Sequence, residues 1–283
     1  MSSFFHLAGI VPVASPPTGY NLPWDDCLIP IAPDYLAIDN AIYQAAMAGC
    51  ETIWVVGNME TVPLVRKRIG DFIYDPTTIG SNPFSKNPDK HRRLVSIYYV
   101  PITEFEGHRS NCLPWSIIKG AEFANDISGA ISKWTRPKMF WVSFPYGITE
   151  PKHLREFRKS ISKEQNTFLR YDEETVLDGK HLPFTFGQED LARFLEHFRE
   201  YENQMSINSQ DEDEYFTEKA TLGIIVKESE MNIDNVIDLS WYHQIDSWDN
   251  YRSFLSDSET REVKSPGKIF IHYKEWNPIS EEL

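Results

Sequence analysis

The chain has 283 residues, 41% of them hydrophobic and 13% aromatic, enough for one large domain or two smaller ones. Its 42 acidic residues outnumber 28 basic ones, giving a net charge of −14, and general nucleic-acid binding is disfavoured by repulsion from a phosphate backbone. No apolar run reaches the ~18–20 residues that cross a bilayer, and the opening Met-Ser-Ser-Phe-Phe has neither a basic leader nor a long apolar core, so a cytoplasmic protein with no membrane partner is expected.

In chain order, "LAGIVPV" (7–13) reads as a first strand, with Pro12 suiting its end better than its middle. A helix follows over Tyr35–Ala48, where Ile38, Ala41, Ile42 and Ala45 share one face and Gly49 supplies the stop. "TIWVVGN" is the next strand, and strand–helix–strand predicts a right-handed βαβ unit with parallel strands. The pattern repeats with a strand at Arg93–Ile102, a small-residue helix at 116–133, the strand "KMFWVSF", and a helix "TEPKHLREFRKSI" with Pro151 in its first turn.

The stretch 168–187 reads as a small β-rich insertion with a turn at Asp178-Gly179. Thr185 and Gln188 have the spacing of a capping box, opening a helix that faces inward through Leu191, Phe194, Leu195 and Phe198. Residues 205–216 read as an acidic surface loop, and "ATLGIIV" and "KIFIHY" as late strands. Alternating elements predict a single α/β domain over 1–283, three-layered and Rossmann-like, on a mainly parallel mixed sheet. Ligands of such sheets bind beyond the carboxyl ends of the strands. The loops after Val13 and Ser143 therefore matter, as does any late segment folding back beside them.

Cys27, Cys50 and Cys112 form no C-x-x-C pair and read as buried reduced thiols. "KNPDKHRR" (86–93) is the densest positive cluster, a solvated strand entry or an anion-contacting loop. In the loop after the first strand, Ala14, Ser15, Thr18 and Gly19 are small enough to bring backbone N–H groups to a phosphate, whereas Pro16 and Pro17 donate none. The chain has no G-x-S-x-G, H-E-x-x-H or G-x-G-x-x-G motif, and its histidines are scattered. Asp25-Asp26 and Glu173-Glu174 are adjacent in sequence, and in strands such neighbours point to opposite sides.

The order "AGIVPVA…LPWDDCLIPIAPDYLAIDNAIYQAAMAGCETIWVVG" resembles the opening of the nucleotidyltransferase and sugar-nucleotide pyrophosphorylase family, which has a GT-A-like nucleotide-diphospho-sugar transferase fold. "GHRSNCLPWSIIKGAEFA" looks like that family's base-contacting helix opening, "PKMFWVSFPYGITEPKHLREF" like its "V-x-x-G-D-x-P" segment, and "WYHQIDSWDNYRSFL" like its "D-I-D-T-x-E-D" segment. The resemblance implies an NTP or nucleotide-sugar ligand and, if the protein is active, nucleotidyl or glycosyl transfer with Mg²⁺ or Mn²⁺. It would make Asp246 the catalytic metal ligand. Ala14, Ser15, Thr18, Gly19, Arg109 and Lys119 would contact the nucleotide, and Trp24, Trp115 and Trp248 would stack on sugar or base. It leaves a homo-oligomer open.

The departures fall where the chemistry should be. The family's G-x-G-T-R loop is here Ala14-Ser-Pro-Pro-Thr-Gly-Tyr20, and its lysine position falls at Asp26 or Cys27. At ~4 Å and an effective dielectric of about 20, reversing one charge beside a polyphosphate changes an interaction of ~4 kcal/mol. The family's first metal-binding aspartate falls near Phe144, in a loop without a carboxylate. Asp246 and Asp249 also suit the start of a helix capped by Ser247. Two readings therefore stand: a divergent transferase, and a catalytically degenerate GT-A-like domain that binds a ligand or serves as a structural or interaction module.

Overall fold

The computed structural model describes residues 5–14, 20, 22–78, 93–103, 112–131, 135–205, 222–258, 260 and 263–266. The strands are β1 (Leu7–Pro12), β2 (Pro30–Ala32), β3 (Tyr35–Leu36), β4 (Thr52–Asn58), β5 (Phe72–Tyr74), β6 (Leu94–Ile102), β7 (Met139–Val142), β8 (Gly147–Thr149), β9 (Thr167–Arg170), β10 (Phe184–Gly187), β11 (Asn235–Asp238) and β12 (Tyr242–Gln244). The helices are α1 (Ala37–Ala48), α2 (Thr61–Ile69), α3 (Leu113–Ile131), α4 (Pro151–Ile161), α5 (Gln188–Met205), α6 (Leu222–Glu228) and α7 (Trp248–Ser256).

Eight strands form one mixed sheet in the order β11-β9-β10-β7-β1-β4-β6-β5. β1 lies at its centre, parallel to both β4 and β7, and all six of its residues are buried. A strand covered on both faces must be apolar throughout, which is why "LAGIVP" does not alternate. Leu7 and Val11 meet α1, α4 and α2 in one core, whereas Ala8 and Ile10 meet α3, α5 and α6 in the other. Helices on both faces make the three layers expected from the alternating sequence pattern.

β4 and β6 continue the parallel run, so β1, β4, β6 and β7 all end at the same edge of the sheet. Two backbone hydrogen bonds extend the pairing past the strand ends: Val13 N to Val56 O at 2.7 Å and Ser143 N to Ile10 O at 3.0 Å. The antiparallel ribbon β8–β12, with Gly147 opposite Gln244 and Thr149 opposite Tyr242, then carries the late part of the chain back to that edge. Gly147 permits this approach, because a Cβ there would run into the His181 carbonyl.

Helix α1 begins at Ala37 because Tyr35 and Leu36 pair with β2, and the Asp39 carboxylate accepts from Leu36 N at 3.0 Å. It ends at Gly49, whose φ of 110° lies in the left-handed region that glycine tolerates. Asp39 is fully buried and is matched by Arg68 at 2.8 Å, an ion pair tying α1 to α2.

Two local expectations change. "ATLGIIV" is not a strand: Leu222–Glu228 is helical, with Leu222, Ile225 and Val226 buried at helical spacing. A short β-branched run carries both periods, and burial against the 3-10 turn Val176–Asp178 favours the helix, where Gly223 packs close to the Val176 and Leu177 carbonyls. The Thr185–Gln188 capping box does not form either. Thr185 lies inside β10, where its hydroxyl accepts from Thr167 N at 2.7 Å and donates to Gln165 O at 3.1 Å. Asp190 takes over at the helix start, accepting from Gly187 N at 3.0 Å. The stretch 168–187 is β-rich, and its strands β9 and β10 join the main sheet. The acidic stretch 206–216, "KIFIHY" and Lys86–Arg92 lie outside the described residues.

Candidate functional site

The strand-end edge is built by the residues following β1, those following β7, and the segment between β12 and α7. Ile245 joins all three: its N–H donates to the Tyr146 carbonyl at 2.8 Å, and its own carbonyl accepts from the Tyr20 hydroxyl at 2.8 Å. Tyr20 and Tyr146 are each only 3% exposed, so aromatic rings fill the interior of the junction. The Trp248 indole packs edge-on against Tyr20, centroids 5.0 Å apart, and donates to the Tyr20 carbonyl at 3.1 Å. Tyr251, one turn on, meets the same ring and donates to Pro30 O at 2.5 Å.

The loop after β7 is held from beneath by Gln44 of α1. The Gln44 amide donates to Gly147 O at 2.9 Å, and its carbonyl accepts from the Ser143 hydroxyl at 3.1 Å. Ser143 is wholly buried, so this loop presents a structural hydroxyl and a tyrosine where the resemblance would require a metal-binding carboxylate.

Asp246 stands just before α7, whose N-cap is Ser247, accepting from Asn250 N at 3.2 Å. Both Asp246 oxygens accept from side-chain amides: Oδ2 from Gln244, and Oδ1 from Asn250 at 2.5 Å. Burial pushes its pKa up, but the two amides and nearby His181 outweigh burial and hold it below the usual carboxylate value. Asp246 is thus a well-solvated anion whose solvating groups are protein amides.

Around it burial disfavours the charged form of the other titratable groups. Burial, opposed by Asp246, lowers the His181 pKa to about 4. Burial, reinforced by Cys27, Asp26, Asp25 and Tyr20, raises the Tyr146 phenol well above its ordinary value. Burial likewise raises Tyr20, and here Asp246 and Asp26 add to it. Asp26 itself is raised, first by burial and then by Asp25. Among the described residues, the charges acting on Tyr20 and Tyr146 are those of Asp25, Asp26 and Asp246, the reverse of what a polyphosphate needs. The Tyr146 hydroxyl and His181 Nδ1 are buried without a hydrogen-bond partner among the described residues.

The sequence-proposed residues are dispersed. Ala14 is fully buried, and its carbonyl accepts from Asn58 Nδ2 at 3.4 Å. Ser15, Thr18, Gly19 and Arg109 lie outside the described residues. Trp115 is a core residue of α3, 8% exposed and stacked on Phe198 of α5 at 5.2 Å, because its face of α3 is the one that α5 covers. Lys119, one turn later, lies over the Trp115 and Phe123 rings at 5.5 and 5.3 Å. Trp24 and Trp248 are 51% and 41% exposed, and Trp248 lies at the edge through its contacts with Tyr20.

A hard divalent cation needs several oxygen ligands. Among the described residues, no three His, Cys, Asp or Glu side chains gather where a metal ion could be held. Asp246 has an amide on each oxygen, the Ser143 hydroxyl is committed to Gln44, and the loop after β7 brings no carboxylate. These residues do not fit the two-carboxylate Mg²⁺ or Mn²⁺ site that the resemblance implies. Cys27, Cys50 and Cys112 are buried free thiols. No helix among the described residues is long and apolar enough to cross a membrane.

An open pocket of about 560 Å³ is lined by Tyr35, Tyr43, Thr149, the start of α4 and Trp241. Sequence reasoning missed it, as it missed Gln44, His181, Gln244 and Asn250. Gln44 acts on Ser143 and Gly147 far along the chain, whereas Gln244 and Asn250 act locally on Asp246, inside the segment that resembles the family's late motif.

An eight-stranded mixed sheet between helical layers, with a late ribbon returning to the strand-end edge, defines the nucleotidyltransferase-like α/β fold. Three solved structures share it. A protein described as a glucose-1-phosphate thymidylyltransferase from Bacillus anthracis, in complex with sucrose, superposes with a TM-score of 0.58 at 10% identity, covering 93% of this chain and 98% of that one. UDP-glucose pyrophosphorylase complexed with UDP-glucose gives 0.51 at 13% identity, covering 89% and 97%. UDP-glucose pyrophosphorylase from Acinetobacter baumanii gives 0.50 at 12% identity, covering 89% and 92%. No protein-family model matches the sequence, and no curated protein matches it either.

Two outcomes follow from the buried groups. Tyr146→Phe removes an unpaired buried hydroxyl, so urea unfolding should show unchanged stability or a gain of up to about 1 kcal/mol; a clear loss would mean the hydroxyl has a partner. His181 is neutral in the fold down to about pH 4 but titrates near its ordinary value when unfolded. Its contribution to stability is therefore complete above pH ~6.5 and is lost as pH falls toward 4. Between pH 7 and 5 the protein should lose about 2 kcal/mol more than His181→Gln does, and identical pH profiles would contradict the buried neutral imidazole.

Proposed function

We propose that this protein is a catalytically degenerate, GT-A-like relative of the sugar-nucleotide transferases that binds the sugar end of a nucleotide-sugar without transferring it. The observation that carries this reading is Asp246, whose two oxygens are both occupied by the amides of Gln244 and Asn250. Nucleotidyl transfer depends on positioning and on neutralising phosphate charge, usually with a metal between phosphate oxygens. Here the nearest charged neighbours of Tyr20 and Tyr146 are Asp25, Asp26 and Asp246, which would repel a triphosphate.

The same edge suits a sugar ring better. Trp248 beside Tyr20 is 41% exposed, and Asp246 has lone pairs beyond those its amides use. Sucrose and UDP-glucose accompany two of the fold neighbours, which agrees with a sugar-containing ligand. The competing reading is metal-dependent nucleotidyl or glycosyl transfer, with Asp246 holding Mg²⁺ or Mn²⁺ and Ala14, Ser15, Thr18, Gly19, Arg109 and Lys119 on the nucleotide. It is favoured by the position of Asp246 beside the strand ends.

A thermal-shift screen of NTPs and nucleotide-sugars, each with and without Mg²⁺ or Mn²⁺, separates the two. A ligand at ~100 times its Kd stabilises the fold by about 2.7 kcal/mol. The expected result is a metal-independent shift with a nucleotide-sugar that Trp248→Ala weakens. An NTP shift that requires metal and is abolished by Asp246→Ala would establish the transferase reading instead. No shift with any compound would overturn ligand binding and leave a structural module.

A further inference from the structure

The start of α4 and the turn before β12 bring together three reactive side chains that the strand-end account does not use. Glu150 is the N-cap residue of α4 and His153 lies three residues on, so the two share one side of the first turn. His153 Nε2 lies 3.4 Å from a Glu150 carboxylate oxygen, and His153 Nδ1 lies 3.3 Å from the Ser240 hydroxyl. The β8–β12 ribbon sets up this meeting. Thr149 is paired with Tyr242, so the chain just after Thr149 runs beside the chain just before Tyr242. Leu239 N donates to Arg170 O at 2.8 Å and Trp241 packs on the core, which holds Ser240 between two anchored neighbours.

A carboxylate only accepts hydrogen bonds, so Glu150 calls for the proton on His153 Nε2 and leaves the Nδ1 lone pair to the Ser240 hydroxyl. A nucleophile, a base and a third group that orients the base is the arrangement that activates a serine, and it is recognised by geometry rather than by motif. Both contacts are at the loose end of hydrogen bonding, as is common before a substrate is bound. Ser240 is exposed, and the His153 and Glu150 side chains are 40% and 42% exposed, so a substrate can reach all three. The same three residues line the open pocket, whose volume of about 560 Å³ lies within the ~300–1,000 Å³ range of small-molecule sites. Tyr43 and Val263, both partly buried on the core, add an apolar wall. The Glu150 side chain makes no capping bond to α4, which leaves the positive end of that helix beside the pocket, where negative charge developing on a carbonyl oxygen is favoured.

We propose that Ser240, His153 and Glu150 form a second active site, which hydrolyses small carboxylic esters with an apolar acyl group. Ser240 Oγ bonds to the ester carbonyl carbon as its proton passes to His153 Nδ1. Collapse of the tetrahedral adduct breaks the bond to the alcohol oxygen, and the alcohol leaves with that proton. Water then attacks the acyl-Ser240 ester, its proton passing to His153 Nδ1 and on to Ser240 Oγ as the carboxylic acid departs. Glu150 touches no reacting atom and is a positioning residue, holding the imidazole through Nε2. The inference does not rest on the reading of the strand ends. Hydrolysis of p-nitrophenyl butyrate by the full chain, and labelling of the full chain with a fluorophosphonate, test it. Nitrophenolate release should saturate with ester, and the fluorophosphonate should leave a single adduct that peptide mass mapping places on Ser240. Ser240→Ala should lose the adduct, and both it and His153→Gln should lower kcat/KM at least ~100-fold. Glu150→Gln should lower kcat about tenfold with KM unchanged, a split that general loosening of the pocket would not give. Melting temperatures serve as the folding control for the variants, and the labelling needs no variant. Release no faster than without protein, an adduct on another residue, or wild-type hydrolysis by Ser240→Ala would each overturn the proposal.

Discussion

The backbone of Ile245 is the constraint on which the functional edge depends. Its N–H and carbonyl are both used, one on the loop after β7 and the other on the residue following the β1 loop. A buried backbone group must find a partner, and these two find theirs in segments far apart in the chain. The antiparallel ribbon β8–β12 makes the geometry repeatable by fixing Gln244 opposite Gly147. Without that register, Asp246 would not stand beside Tyr20, and α7 would have no floor to pack on.

The electrostatics follow from this junction. Bringing Tyr20, Tyr146 and His181 into the interior makes each of them neutral, because burial penalises the charged form. Asp246 escapes that fate because Gln244 and Asn250 supply the hydrogen bonds that water would. The same arrangement puts an amide hydrogen bond on each oxygen a cation would use. A shared fold does not carry chemistry with it. Here the fold matches that of solved sugar-nucleotide enzymes, while the described groups at the strand ends are aromatic, amide and acidic.

Much of the architecture was legible in the sequence. The helical face of Ile38, Ala41, Ile42 and Ala45 placed α1, Gly49 placed its end, and the continuous apolar runs at 7–13 and 52–58 identified strands buried on both faces. Ser247 is the N-cap that its position beside Asp246 suggested. Short elements were harder. Leu222–Glu228 carries strand-like composition, and only its burial against the 176–178 turn makes it helical. Thr185 has a cap's spacing, but the strand pairing of β10 claims it first. Trp115 looked like a site residue by its place after β6, and nothing local says that α5 will cover it. The bonds of Gln44 to Ser143 and Gly147 join residues far apart in the chain and are invisible to any reading of spacing, whereas the amides around Asp246 come from its near neighbours Gln244 and Asn250.

The most direct test of the strand-end account is a pyrophosphate-release assay on the full chain with the common NTPs, a panel of sugar 1-phosphates, and Mg²⁺ or Mn²⁺. The account predicts no release above the protein-free rate with any combination. Release that requires both an NTP and a sugar 1-phosphate, and that Asp246→Ala eliminates, would contradict it and make Asp246 a working metal ligand rather than an amide-held anion.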